Sequence, residues 1–212
     1  MKYNYYSSLE YKINVLTILG HIMFLTKKQI DKIGFKSIGD DVLISDKASI
    51  YNPSDIEIGS NVRVDDFCII SAGNGGIKIG SNIHIAIFSS LIGVAKITLS
   101  DFCNLSSRVA IYSSSDDYSG ESLTNPTIPD KYKKVTQDDV FLGRHVIIGS
   151  GSVILPGIVL NEGVAIGALS LVTKSCEAFG IYAGAPAKRI KERSRKLLEL
   201  ELEFLKSKSL HL

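Results

Sequence analysis

Apolar residues recur every six positions in the C-terminal half of this chain, at Leu142, Ile148, Ile154, Leu160, Ile166 and Val172. Four residues after each of the first five stands a small or branched side chain: Val146, Ser152, Ile158, Val164 and Ser170. A helix buries residues with a period of about 3.6 and a strand with a period of about 2, so neither explains this spacing. A six-residue repeat is typical of a parallel β-helix, a solenoid whose coils each have three short, flat sides.

The same period runs through the earlier part of the chain, where insertions interrupt it. Its four series are Ile38, Ile44, Ile50, Ile56; Ile58, Val64, Ile70; Ile79, Ile85, Leu91; and Leu99, Leu105, Ile111. The interruptions fall at 71–76, near 93–94 and at 113–139, and solenoids carry such insertions at their corners. The spacing predicts a mainly β solenoid with a long excursion loop at 113–139. An ordinary β-sandwich gives no reason for six-residue spacing over so many units.

The two ends of the chain have a different pattern. Residues 5–33 are predicted to be mostly helical and to pack on the first coils. Their apolar stretch, Ile13–Leu25, is shorter than the ~20 residues that span a membrane, so a shallow contact with a membrane surface is the alternative to simple packing. From Lys188 onward, apolar residues recur near helical spacing between charged ones, which predicts an amphipathic helix. The predicted segments are an N-terminal helical segment (1–37), the solenoid (38–187) and a C-terminal helix (188–212).

Charge and cysteine content narrow the possible partners. The net charge is only +2, which indicates no nucleic-acid-binding surface. The three cysteines form no C-x-x-C pair, and Cys68 and Cys103 fall at inward positions where a free thiol packs as a small apolar group. This usage favours a reducing compartment, and we expect a cytoplasmic protein. Flat, partly apolar solenoid sides favour closed symmetric oligomers, and three-sided coils suit a homotrimer.

Three stretches carry a family resemblance: Ile148–Gly157 (IGSGSVILPG), Val164–Ala168 (VAIGA) and Ala183–Lys188 (AGAPAK). They resemble the C-terminal half of the hexapeptide-repeat acyltransferases. The closest branches are the galactoside, maltose and xenobiotic acetyltransferases and the O-acetyltransferases of surface-polysaccharide biosynthesis. The resemblance covers about residues 38–192. It implies a left-handed parallel β-helix and a trimer with three active sites between neighbouring coils.

The resemblance also implies that acetyl-coenzyme A, the acyl donor, lies along the C-terminal coils. By position, Ser150 and Ala168 are expected to contact its pantetheine arm through their backbones. Four further residues are expected near its nucleotide end: Thr173, Lys174, Lys188 and Lys191. Lysines suit phosphates as point charges, although a solvated surface lysine is the alternative reading of each.

Acyl transfer from a thioester requires a base that takes a proton from the attacking hydroxyl or amine. In the galactoside and xenobiotic acetyltransferases this base is a histidine at the start of the excursion, and here Asp116 or Asp117 stands at that position. A carboxylate is a weak base near neutral pH, so these aspartates are expected to orient a histidine or to hold the acceptor. Tyr118 is a further acceptor-binding candidate.

His84 lies between inward-pointing Ile83 and Ile85, so the repeat places its side chain on a flat face of the solenoid. Counting coils places Arg63 below it and Asn104 above it, and both are candidates for binding the acceptor. We predict His84 as the general base. Asp116, from the same or a neighbouring subunit, is predicted to fix the tautomer of His84 or to hold the sugar.

The resulting functional hypothesis is an acetyl-CoA-dependent O-acetyltransferase that acts on a sugar hydroxyl in surface-polysaccharide biosynthesis. The alternative is an N-acetyltransferase that acts on a nucleotide-linked amino sugar, since a neutral amine needs less help from a base. A carbonic anhydrase of the γ class would share the fold but needs several histidines around zinc. Only His84 and His145 lie on coils, so we expect no metal. An inactive scaffold is the remaining alternative.

Overall fold

The six-residue repeat folds into three sheets in the computed structural model, which describes residues 24–209, and all their strands are parallel except the last strand of sheet 2. Sheet 1 contains β1 (Ser37–Ile38), β4 (Ile56–Ile58), β7 (Ile77–Ile79), β10 (Ile97–Leu99), β15 (Val140–Leu142) and β18 (Val159–Leu160). Sheet 2 contains β2 (Leu43–Ile44), β5 (Val62–Val64), β8 (Ile83–Ile85), β11 (Asn104–Leu105), β16 (Ile147–Ile148), β19 (Ala165–Ile166), β21 (Gly180–Ala183) and β22 (Lys188–Glu192). Sheet 3 contains β3 (Ser49–Tyr51), β6 (Ile69–Ala72), β9 (Ser90–Gly93), β12 (Ala110–Tyr112), β17 (Val153–Ile154) and β20 (Leu171–Val172). The chain visits the sheets in turn and forms the predicted left-handed β-helix.

The core of the solenoid consists of the repeat residues. In the C-terminal coils, residues eighteen apart stack in register: Ile148 pairs with Ile166 and Ile154 with Val172. All four are buried. Burying a branched aliphatic side chain contributes about 1.5–3 kcal/mol, so the repeat supplies a stabilising contact on every side of every coil. The predicted inward positions of Cys68 and Cys103 are confirmed, and both thiols are free and buried.

Two corners of the solenoid contain columns of residues in the left-handed backbone conformation. Between sheets 1 and 2 the column is Asp41, Asn61, Asn82, Phe102, His145, Gly163 and Phe179. Between sheets 2 and 3 the column has Phe67, Phe88, Arg108, Gly151 and Leu169 on five successive coils. The strand registers on both sides of each corner agree, so these residues lie one above another.

The predicted excursion leaves the solenoid directly after β12. The buried Ser113 anchors its start by donating its hydroxyl to the carbonyl of Ala95 at 2.6 Å. The short strands β13 (Ser114–Ser115) and β14 (Thr136–Gln137) pair antiparallel and close its base. The excursion contains the 3-10 turn Asp130–Tyr132, and a second such turn, Pro53–Asp55, lies between β3 and β4. The chain re-enters the solenoid at β15.

At the N-terminal end, the described part of the predicted helical segment contains α1 (Lys27–Ile33). Thr26 caps this helix in a capping box with Gln29, and Gly34 ends it in the left-handed conformation that glycine adopts without strain. Residues 1–23, with most of the apolar stretch, lie outside the described residues. No helix between residues 24 and 209 is long and apolar enough to cross a bilayer.

At the C-terminal end, the predicted helix is present, but the prediction that it begins at Lys188 is wrong. Lys188–Glu192 is strand β22, which pairs antiparallel with β21, and helix α2 (Lys196–Ser209) begins after it. The last coil of the solenoid leaves an edge of unpaired backbone groups, and β22 provides their hydrogen-bond partners. Helix α2 then returns along the corner between sheets 1 and 2, where Phe204 packs edge-on against Phe102.

Candidate active site

The predicted outward stack on sheet 2 is present. Strands β5, β8 and β11 are in register so that Arg63, His84 and Asn104 occupy adjacent positions on the outer face. Their neighbours Val64, Ile85 and Leu105 point inward and are fully buried. The alternation of the strand therefore holds His84 at the surface, where its side chain is 43% exposed.

A carboxylate that sequence reasoning missed completes this group. Oδ2 of Asp65 lies 2.7 Å from Nε2 of His84, and its Oδ1 accepts from Nε of Arg63 at 2.6 Å. A neutral imidazole that donates from Nε2 keeps the lone pair of Nδ1 free to accept a proton. Asp65 is the first residue after β5, and the six-residue pattern does not reveal that a corner side chain turns back onto the sheet. The sequence feature that could have indicated this contact is the position of Asp65 two residues after Arg63.

Asp116 lies elsewhere in the chain fold. It is exposed and follows β13, in the excursion that leaves the solenoid after sheet 3. His84, in contrast, lies on sheet 2. Within one chain, the carboxylate that contacts His84 is Asp65 and not Asp116. An encounter between Asp116 and His84 therefore requires a second subunit.

Asp117 is held inside its own loop. Its carboxylate accepts from the backbone N–H and hydroxyl of Ser119 at 2.9 and 2.7 Å, and from the hydroxyl of Ser122 at 2.9 Å. These donors, led by the Ser119 hydroxyl, lower the pKa of Asp117 to about 2. Asp117 is thus an ionised turn residue with little capacity left for an acceptor. Its neighbour Tyr118 is 93% exposed.

The residues expected to contact a pantetheine arm come together at the corner between sheets 2 and 3. Ser150 and Ala168 follow the paired strands β16 and β19 by two residues each, so they lie one above the other. The segment before Lys188 crosses the top of this corner, where the N–H of Gly184 donates to the hydroxyl of Ser170 at 3.1 Å. The N–H of Ala187 then donates to the carbonyl of Leu171 at 2.8 Å.

The four residues expected near the nucleotide end are all exposed and lie in two places. Thr173 and Lys174 follow β20. Lys188 and Lys191 share strand β22, which brings Lys188 next to the Ser150–Ala168 corner.

His145 has a structural role. Its Nε2 lies 2.7 Å from Oε2 of Glu201 on α2, and its ring stacks on Phe102 at a centroid distance of 5.0 Å. Arg193 donates to its carbonyl oxygen at 2.7 Å. Burial, assisted by the adjacent Arg144, lowers the pKa of His145. Within residues 24–209, no group of three or more His, Cys, Asp or Glu side chains could hold a metal ion.

Known proteins resemble this chain over most of its length. The dTDP-4-amino-4,6-dideoxy-D-glucose acyltransferase of Escherichia coli is 56% identical over 181 residues, which cover 85% of this chain and 94% of that protein. The E. coli K12 protein WbbJ, a putative lipopolysaccharide biosynthesis O-acetyl transferase, is 26% identical over 68% of this chain and 74% of its own. No protein-family model matches the chain.

Solved structures of acyltransferases also resemble this chain over most of its length. AntD, an N-acyltransferase from Bacillus cereus, superposes with a TM-score of 0.85 at 50% identity, over 88% of this chain and 98% of AntD. That structure contains dTDP and 3-hydroxybutyryl-CoA. An AntD variant with a serine-to-cysteine substitution is in complex with dTDP-4-amino-4,6-dideoxyglucose and coenzyme A.

Proposed function

Because this chain belongs to the hexapeptide-repeat acyltransferase family, we propose that it transfers an acyl group from an acyl-coenzyme A to the amine of a dTDP-linked 4-amino-4,6-dideoxy sugar. The observation that carries the proposal is 56% identity over 94% of the E. coli enzyme that acts on such a sugar. The O-acetyltransferase WbbJ is far more distant, at 26% identity. Of the two functions expected from sequence, N-acylation is therefore better supported than sugar O-acetylation.

The reaction is a direct transfer. The neutral amine attacks the thioester carbonyl, a C–N bond forms, and the tetrahedral adduct collapses with cleavage of the C–S bond to release coenzyme A. The nitrogen of the adduct carries a positive charge and gives up one proton. A positioned base that accepts this proton contributes roughly 10²–10⁴ in rate.

We propose that Asp116 is the base that accepts this proton. A carboxylate is a weak base at neutral pH, but the adduct nitrogen is acidic enough to give a proton to it. AntD structures with bound dTDP carry substitutions at one aspartate or at one serine ten residues before it. Asp116 has a serine at that distance, Ser106, and Asp117 has Ser107. Asp116 is exposed, and within residues 24–209 its carboxylate accepts no hydrogen bond. It therefore suits proton transfer better than Asp117, whose carboxylate already accepts three hydrogen bonds.

The dyad of His84 and Asp65 is the second candidate for the base. It lies on the outer face of sheet 2, two coils below Ser150 and three coils below Ala168, or about 10 and 14 Å along the solenoid. Its free Nδ1 gives it the right chemistry for an acceptor amine that is bound on these lower coils. Arg63, which neutralises Asp65, and Asn104, which adjoins His84, are then available to hold the acceptor.

For the acyl donor we propose a groove along the corner between sheets 2 and 3. The backbones of Ser150 and Ala168 bind the pantetheine arm, and Lys188, Lys191, Lys174 and Thr173 lie toward the phosphates. Three of these four side chains are exposed lysines, and the structure gives none of the three an ion pair within residues 24–209. Coenzyme A bound to AntD, which shares this fold at 50% identity, supports the assignment.

We propose a homotrimer as the working assembly. The outer face of sheet 3 carries no charged residue at its ten paired positions, which are Ser49, Tyr51, Ile69, Ser71, Ser90, Ile92, Ala110, Tyr112, Val153 and Leu171. An uncharged flat face of this size is suited to contact with another subunit. The assembly would also bring the excursion of one subunit to the sheet 2 face of the next.

The test is an acyl-transfer assay with matched acceptors. Purified protein is incubated with acetyl-CoA or 3-hydroxybutyryl-CoA and either dTDP-4-amino-4,6-dideoxyglucose or its 4-hydroxy counterpart, dTDP-6-deoxyglucose. We expect release of free thiol and an amide product, detected by mass spectrometry, only with the amino sugar. Acylation of the hydroxyl compound alone would restore the O-acetyltransferase reading.

A further inference from the structure

The corner between sheets 2 and 3 carries one lysine, two phenylalanines and one arginine on four successive coils. We call these residues, Lys47, Phe67, Phe88 and Arg108, the corner ladder; the registers of the flanking sheets align them. The two phenyl rings stack at a centroid distance of 5.1 Å and an angle of 12°. The guanidinium of Arg108 lies 5.4 Å from the centroid of Phe88, and Nζ of Lys47 lies 5.7 Å from that of Phe67.

Packing of the solenoid does not account for these side chains. Phe67 and Phe88 are 48% and 46% exposed, and both have positive φ, at 58° and 63°. Bulky residues rarely adopt this conformation, and the strain costs about 1–3 kcal/mol at each position. Gly151 fills the equivalent corner position without that cost. Arg108 and Leu169 share this corner conformation, so the distinguishing feature of Phe67 and Phe88 is that their rings are exposed and stacked on each other. Exposed, stacked aromatic rings indicate a surface that binds something.

Arg108 has an unsatisfied charge. All six arginines lie within residues 24–209, and four of them bond to carboxylates or carbonyl oxygens: Arg63, Arg144, Arg189 and Arg193. In the same part of the chain, Arg108 and Arg195 have only an aromatic ring as partner. Lys47, at the other end of the ladder, is already paired with Asp66 at 2.8 Å. The five N–H donors of Arg108 are therefore available to an anion.

The ladder continues the path proposed for the acyl donor. Arg108 lies one coil below Gly151, and its neighbour Ser107 lies directly below Ser150 in the Ser150–Ala168 column. Adjacent strands are about 4.8 Å apart, so the four ladder residues extend over about 15 Å. If the acceptor amine meets the thioester at the top of the corner ladder, the rest of the acceptor extends down along the ladder.

We propose that the corner ladder is the subsite for the nucleoside diphosphate of the acceptor, an inference that rests on the proposed function. Arg108 pairs with the diphosphate, for which a planar guanidinium offers two parallel hydrogen bonds. The pyrimidine base packs across the exposed edges of Phe88 and Phe67 in the edge-to-face arrangement that aromatic rings prefer. The amino sugar lies above Arg108, toward the thioester.

Calorimetry on the full-length chain with coenzyme A present tests the subsite, with dTDP and inorganic pyrophosphate as the probes. Arg108→Gln is expected to weaken both probes by at least about tenfold, because it removes a charge-assisted pair. Phe88→Leu is expected to weaken dTDP by a similar factor and to leave pyrophosphate unchanged. Leucine is sterically acceptable there, because Leu169 occupies the equivalent corner position with φ 56°.

Arg195→Gln is the matched control. Arg195 also stacks on a ring, that of Phe179 at 4.2 Å, but at the other corner, so its loss should leave both affinities unchanged. If the wild-type protein binds no dTDP, the proposed function itself fails. If wild type binds dTDP and Arg108→Gln stays within twofold of it, the ladder proposal alone is overturned. A change of oligomer mass in Arg108→Gln or Phe88→Leu, measured by light scattering, overturns it as well and assigns the ladder to a subunit contact.

Discussion

The imidazole of His84 and the carboxylate of Asp65 form a hydrogen-bonded dyad, with Nε2 and Oδ2 2.7 Å apart, on the outer face of the solenoid. The dyad and Asp116 are alternative bases, and they make different predictions. If Asp116 is the base, Asp116→Asn lowers kcat by roughly 10²–10⁴ while His84→Ala has a small effect. Steady-state kinetics on both variants with the amino sugar distinguish the two. Loss of turnover in His84→Ala, with Asp116→Asn near normal, would move the base to the dyad.

The loop around Asp117 is expected to respond to acid. Three hydrogen bonds lower the pKa of this carboxyl to about 2, so the folded state favours the ionised form. The stabilising contribution is complete above the ordinary value of 3.8 and is lost as the pH falls through about 2. We expect the Ser119 amide, a donor to this carboxylate, to lose hydrogen-exchange protection between pH 5 and pH 2, after correction for intrinsic rates. Protection that stays constant in the wild type, or that falls between pH 5 and pH 2 to the same extent in Asp117→Asn, whose side chain does not titrate, would contradict this origin.

Reversal of one charge should weaken coenzyme A binding. Lys188 is exposed and follows the segment that crosses the top of the Ser150–Ala168 corner. Lys188→Glu places a carboxylate near the proposed phosphates and is expected to lower the affinity for coenzyme A by about tenfold. Isothermal titration calorimetry measures it, with Lys78→Glu on β7 as the control at a distant coil. Equal affinities for the two variants would place the groove elsewhere.

The three cysteines should be unreactive in the folded protein. Burial raises the pKa of the Cys68 and Cys176 thiols to about 11 and that of Cys103 to about 12. Only the thiolate is a good nucleophile, so very little reactive form exists at pH 8. We expect Ellman's reagent to label none of them within minutes in buffer and all three in denaturant. Rapid labelling of the native protein would show that a coil opens readily.

The stability of the packing of helix α2 on the solenoid is expected to depend on Glu201. Its side chain is only 9% exposed, and it accepts from Arg144 and from the buried His145. Glu201→Ala leaves those donors without this acceptor and should cost about 1–3 kcal/mol. A lower thermal midpoint checks this, and Glu199→Ala on the exposed side of the same helix is the control. Equal midpoints for the two variants would mean that water replaces the carboxylate without cost.

The sequence alone determined the solenoid. A period of six separates inward from outward positions on every side of a coil, so Ile83 and Ile85 enter the core and His84 must face outward. The alignment of Arg63, His84 and Asn104 followed from counting coils, because parallel strands stack in register. The excursion at 113–139 was equally visible, since it breaks the period.

The tertiary structure decided what happens at the corners and at the ends. The repeat does not specify where a corner side chain turns, so it could not show that Asp65 returns to His84 or that Phe67 and Phe88 stack. Helical periodicity in the tail did not reveal that Lys188–Glu192 would pair with the open edge of β21 before α2 begins. The physical reason is the same in each case. Local spacing fixes which residues are buried and which strand positions stack on one another, whereas the directions of corner side chains and the pairing of the chain end depend on the three-dimensional placement of the backbone.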